Sequence, residues 1–368
     1  MRFGSPHVAA LLLTLTLPCW SVHAQTATTP QAAVTPAAAP ATDAPRVRLV
    51  ATGGTISNRA GGRLTAEELV QLIPTVSRYA RPEFEQFANV ASSELSLDQW
   101  LALAKRINQI FADDTGVAGV VVTSGTDTLE ELAFFLNLTV RAAKPVVVVG
   151  SMRNPSTLGY EGAANLLESF RVAADRNASG RGVMVVLNDE INAAREVTKT
   201  DALRLNTFQT RGYGVLGVVD PDRVVFYRRV EKKHTVQSEF DISTLTTLPR
   251  VDVVLTYQGA PGDLIKAAVD AGAKGIVIAG AGAGATSGTQ GEGIAYALQK
   301  GVFVVTTTRA GSGRIAARAR AAAAATPAPT DRAVAGEDLA PIKARLLLML
   351  ALTRTQSGAE VQRMFTEY

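Results

Sequence analysis

Val47-Arg48-Leu49-Val50-Ala51-Thr52-Gly53-Gly54-Thr55-Ile56 is a short β-branched run that passes directly into two glycines and a threonine. A run this apolar, followed by residues that let the backbone turn sharply, reads as a strand buried on both faces whose carboxyl end opens a loop. Open α/β sheets place their ligands at that end of their strands. Thr55 then displays a hydroxyl beside exposed backbone N–H groups, the arrangement of a nucleophile next to an oxyanion site. A glycine turn with a capping threonine has the same appearance in sequence. The glycine fingerprint and lysine of a phosphate loop are absent.

The pattern around this strand repeats. Gly119 to Thr123, Pro145 to Val149 and Val183 to Leu187 are further near-continuous valine runs, as expected of buried parallel strands. Thr65 with Glu68 and Ser96 with Gln99 have capping-box spacing ahead of apolar periodic segments, so helices start between the strands. A second block follows Leu248-Pro249: strand Val251 to Tyr257, helix Asp263 to Ala271, strand Gly275 to Ala279, helix Gly293 to Lys300, strand Val302 to Thr307 and a final helix around Pro341 to Thr353. The fold class expected is α/β, a mainly parallel sheet in an N-terminal domain (46–245) with a smaller α/β C-terminal domain (250–368).

The chain has 368 residues, 47% hydrophobic and 19% charged, enough to bury one large core or two medium ones. Its net charge of +4 comes from bases scattered among acids, so no nucleic-acid partner is expected. Residues 1–24 read as a signal peptide: Arg2 precedes an apolar stretch from Val8 to Pro18, and Val22-His23-Ala24 offers a cleavage site after Ala24. Pro18 stands where a small residue would be wanted for lipid attachment at Cys19. A periplasmic or secreted protein is therefore expected, with no membrane association once the leader is cleaved. Residues 25–45, nearly all Ala, Thr, Pro and Gln, form a linker that builds no core.

Losing the leader removes Cys19, the only cysteine, and His7 and His23, leaving His234 alone. Disulfides, a thiolate nucleophile and multi-histidine metal centres are thereby excluded. His234 itself, in Glu231-Lys232-Lys233-His234-Thr235, reads as a surface or hydrogen-bonded residue. Hydrolytic chemistry has to run on Ser, Thr, Lys, Tyr, Asp or Glu.

Two further stretches offer such groups. The strand ending at Thr123 leads into Ser124-Gly125-Thr126-Asp127-Thr128, a strand-to-helix turn of the same kind as the one at Thr55, so the two turns can face one another at a sheet edge. Arg195-Glu196-Val197-Thr198-Lys199-Thr200 is polar, and a buried lysine held by a carboxylate can accept or relay a proton. Taken singly, these are ordinary caps and surface charges.

In combination, TGGTI at Thr52, SGTDTLEELAFFLNLTV at Ser124, KPVVVVGSMRNP at Lys144, LNDEINAAREVTKT at Leu187, KARLLLMLALTRT and the terminal QRMFTEY resemble, in order and spacing, the exported bacterial-type (type II) L-asparaginases and glutaminase-asparaginases. The resemblance covers essentially everything from Arg46. It implies an amidohydrolase whose two threonines face each other over a small amino-acid amide. Thr55 matches the nucleophile, and Thr126, Asp127 and Lys199 match the second threonine with its partners. Asp127 receives the substrate amino group, and Ser92-Ser93 matches the substrate-binding loop. A homotetramer without metal or organic cofactor is implied.

The chain departs from that pattern at several points. No tyrosine lies between Thr55 and Tyr79, where the family carries one on a flexible loop; Arg59 is the residue nearest that place. Ala316 to Val334 contains no glutamate, where one is expected to reach the partner subunit's site. Ser124 replaces a histidine, Ser93 a glutamine, and Gly282-Ala283-Gly284-Ala285 lacks the usual asparagines. Asparagine hydrolysis is the leading expectation. Glutaminase activity, or a weakly active exported amino-acid-binding protein, are the alternatives.

Overall fold

The run Val47 to Ala51 forms strand β1 (Arg46–Gly53), buried from Val47 onward except at Arg48, in the middle of a sheet. The sheet continues with β2 (Arg81–Val90), β3 (Val117–Thr123), β4 (Val146–Val149), β5 (Val183–Leu187), β6 (Glu190–Ala193), β7 (Gly217–Val219) and β8 (Val224–Phe226). The spatial order is β8-β7-β6-β5-β4-β3-β1-β2. The five strands from β2 to β5 run parallel, and β6, β7 and β8 add on antiparallel. A second sheet is fully parallel: β9 (Val251–Leu255), β10 (Gly275–Gly280), β11 (Phe303–Thr308) and β12 (Ala333–Ala335). The class is α/β, as expected.

This is a computed structural model, which describes residues 1, 4, 43–317 and 329–368. The expected signal peptide (1–24), nearly all of the linker (25–45) and most of Ala316 to Val334 lie outside the described residues. Among the described residues no helix is long and apolar enough to cross a membrane.

Helices fill both faces of the first sheet because its strands alternate. Val47, Leu49 and Ala51 point into one apolar layer with α1 (Ala66–Gln71) and α4 (Gly162–Ala174), while Val50, Val120 and Val122 point into the other with α2 (Leu97–Asp113) and α3 (Leu129–Thr139). Both predicted capping boxes form, at Thr65 with Glu68 and at Ser96 with Gln99. The second sheet is covered on one face by α5 (Asp263–Asp270) and α6 (Gln290–Gln299). Its other face packs on α7 (Pro341–Leu352), whose Leu346 to Ala351 are all buried. A helix apolar all round belongs inside. It joins α3 and the second sheet into one continuous core.

Several elements were not named from the sequence: strands β2, β6, β7, β8 and β12 and helices α4 and α8. Strand β2 was not expected because Arg81-Pro82-Glu83 looks unlike a strand; it is an edge strand paired only with β1, where a proline is tolerated. Helix α4 was likewise not singled out. The helix at Pro341 is not the last, since α8 (Gly358–Glu367) follows, started by Ser357 accepting from the Glu360 N–H.

Candidate active site

Strands β2, β1 and β3 lie side by side and release their loops at the same edge. The loop after β1 is bent by Gly53 and Gly54, whose φ angles of 104° and 90° are rarely open to other residues. Gly54 also lies so close to the next loop that a Cβ there would stand 2.2 Å from the Gly125 nitrogen. Thr52 fastens the two strand ends: its N–H donates to Thr123 Oγ1 (3.1 Å) and its hydroxyl to the Thr123 carbonyl (2.6 Å). On the other side the Gly54 N–H donates to the Val90 carbonyl at 2.9 Å. The two glycine turns thus lie in direct contact at the sheet edge.

Thr55 opens a single 3₁₀ turn, is half-buried, and its hydroxyl makes no hydrogen bond to the described residues. Thr126 is only 6% exposed. Lys199 comes to it from a two-residue strand, Thr198–Lys199, and donates from Nζ to Thr126 Oγ1 (3.0 Å) and Asp127 Oδ1 (2.8 Å). The lysine side chain is 14% exposed and the aspartate 77%, so the carboxylate remains accessible from solvent. Among the described residues the backbone N–H groups of Thr55, Thr126 and Asp127 have no hydrogen-bond partner. Such free donors beside a hydroxyl are the requirement for holding a developing oxyanion.

Ser92 is buried against this assembly, since a Cβ on Gly125 would meet its Oγ at 2.8 Å, and its carbonyl accepts from Thr128 Oγ1 at 3.2 Å. Ser93 is exposed on the same turn and makes no hydrogen bond among the described residues. Ser124 is buried, with its N–H on the Val149 carbonyl at 2.8 Å. Arg59 pairs with Glu68 at 3.0 Å and is spent on that contact. His234 is not at the surface: it is buried, bonded through Nδ1 to Thr235 Oγ1 (2.9 Å), and burial lowers its pKa.

Residues 46–232 match the family described as "Asparaginase, N-terminal", and residues 250–365 match "Glutaminase/Asparaginase C-terminal domain". The chain belongs to the asparaginase family. It is 41% identical to L-asparaginase 2 of Bacillus subtilis (strain 168) over 89% of this chain and 87% of that protein. With L-asparaginase 2 of Escherichia coli (strain K12) it shares 38% identity, covering 88% and 93% of the two chains. The crystal structure of a probable cytoplasmic L-asparaginase from Campylobacter jejuni superposes with a TM-score of 0.82 at 39% identity, over 88% of this chain and all of that one. The protein is thus an L-asparaginase-type amidohydrolase.

Some parts of this asparaginase-family site could not be read from sequence. Tyr160 donates its phenol to the Ile56 carbonyl at 2.8 Å, bracing the Thr55 turn from 104 residues away, and burial holds that phenol well above its ordinary pKa. Ala60, on the small hairpin after Thr55, donates its N–H to Ser156 Oγ at 2.9 Å. This bond joins the short hairpin to the loop that follows β4. Glu130 accepts from Lys199 N–H (2.9 Å) and from Thr198 Oγ1 (3.1 Å). Its place at the first turn of α3, just after Thr126 and Asp127, was the one available hint.

Proposed function

We propose that this amidohydrolase converts L-asparagine to L-aspartate and ammonia with Thr55 as nucleophile. Thr55 Oγ attacks the side-chain amide carbon, and the oxyanion forms against backbone N–H groups of the two glycine turns. Thr126 and Lys199 move protons, so that the nitrogen leaves as ammonia and water then releases aspartate from the ester. Asp127 takes the substrate's α-amino group, with Ser92 and Ser93 at the carboxylate side. The observation that carries this reading is the Lys199 bond to both Thr126 and Asp127, set across a Gly54–Gly125 contact from an unbonded Thr55 hydroxyl.

Ammonia release from asparagine and from glutamine by the purified mature protein, beside calorimetric titration with aspartate, tests it. Turnover of asparagine supports the reading and the glutamine rate gives the preference. Aspartate binding without turnover would instead favour the weak-binder alternative, which the absent loop tyrosine motivates.

We further infer export with cleavage after Ala24, and assembly as a homotetramer. Export predicts a mature N terminus at Gln25. Assembly is supported by the edge strand β9, where Val253 and Leu255, with Tyr257 just beyond the strand and Leu264 at the start of α5, leave apolar side chains exposed. Light scattering at four times the chain mass is the expected result.

A further inference from the structure

Lys343, on α7, is 1% exposed, the most deeply enclosed lysine among the described residues. Its Nζ donates to the carbonyls of Arg195 (3.2 Å) and Val197, and stands 3.8 Å from Glu130 Oε2. The nearby charges are otherwise engaged: Arg195 with Asp338, Glu196 with Arg228, and Glu131 towards Arg345. Glu130, 6% exposed, is left as the counter-charge. Its second oxygen carries the Lys199 N–H and the Thr198 hydroxyl. A buried ion pair is a weak source of stability compared with apolar residues of like volume. Here it lies directly behind the backbone that presents Lys199.

We propose that Glu130 and Lys343 are positioning residues that hold the 195–199 segment in register, so that Lys199 meets Thr126 and Asp127. Neither reaches the substrate. Lys343 clamps two carbonyls ahead of Lys199, Glu130 clamps the Lys199 backbone itself, and their attraction locks the clamps together. Helix α7, which packs on the second sheet, thereby sets the geometry of a site carried by the first. Burial pushes Lys343 down to about 8 against the pull of Glu130, which accords with a group enclosed for position rather than for exposure to solvent.

This rests on the reading of Lys199 as a proton carrier, and the test separates the two. In the full mature protein, Lys343→Met, Glu130→Gln and the double variant are compared with Lys199→Met for kcat, KM, aspartate affinity and thermal midpoint. Misplacement by about 1 Å costs up to ~100-fold in rate, so each single variant is expected to lose ~10- to 100-fold in kcat. KM and aspartate affinity should stay within about twofold, since the anchoring groups are untouched. The double variant should be no slower than the slower single, because the pair acts as one unit; with no charge left unpaired, it also remains testable if a single variant fails to fold. A folded double variant with wild-type kcat, or losses confined to the thermal midpoint, would overturn the proposal. Should Lys199→Met keep its turnover, the reading of Lys199 fails instead. Lys199→Met inactive beside a fully active double variant sinks the pair alone.

Discussion

Two turns of similar sequence, Thr52-Gly53-Gly54-Thr55 and Ser124-Gly125-Thr126-Asp127, leave adjacent parallel strands and carry threonines, Thr55 and Thr126, held very differently. Thr126 is buried and bonded to Lys199. Thr55 is half-buried, its hydroxyl is unbonded, and only the backbone after it is fixed, through Tyr160 on the Ile56 carbonyl. A hydroxyl wired to an ammonium suits the passage of protons, and a free hydroxyl on a rigid turn suits attack. The same residue type thus meets two different surroundings, and the roles proposed for the two threonines follow from that difference.

The comparison breaks if the two threonines prove interchangeable. Removing the proposed nucleophile should have the largest effect: Thr55→Ala is expected to lower kcat by ~10⁴-fold or more in an ammonia-release assay. Thr126→Ala and Lys199→Met should each cost ~10²- to 10⁴-fold, the range of acid–base assistance, with the thermal midpoint nearly unchanged. Gly54→Ala probes the contact between the turns. Its Cβ would overlap Gly125 backbone at a positive φ, so urea denaturation should show a loss of ~3 kcal/mol together with reduced activity.

Smaller effects sharpen the picture. Tyr160→Phe removes one hydrogen bond under the Thr55 turn and should cost about 1 kcal/mol in chemical denaturation, with a several-fold drop in kcat. Arg59→Ala breaks an exposed pair with Glu68 and should change stability by less than about 0.5 kcal/mol, leaving kcat nearly as it was. A large effect at Arg59 would mean that it has taken over closure of the site.

Much of this was legible because the chemistry sits where local pattern is strong. Valine runs ending in glycine turns announce buried parallel strands with a site at their carboxyl ends, and capping boxes at Thr65 and Ser96 announce helices between them. What escaped reading has tertiary causes. Strand β2 hides its role behind Pro82 and alternating glutamates that only an edge position explains. Tyr160 and Lys343 act through carbonyls far away in sequence, and no spacing rule connects them to Thr55 or Lys199. For His234 the sequence left a surface or a hydrogen-bonded place open; it is the latter, bonded to Thr235, and Gly182 leaves the room that lets its ring pack inside.

The division of labour between the two threonines is tested most directly by labelling with a diazo-ketone analogue of asparagine, followed by peptide mapping of the adduct. The account predicts a single adduct on Thr55, formed more slowly in Lys199→Met and absent in Thr55→Ala. An adduct on Thr126, with Thr55→Ala still releasing ammonia from asparagine, would contradict it and reverse the two roles.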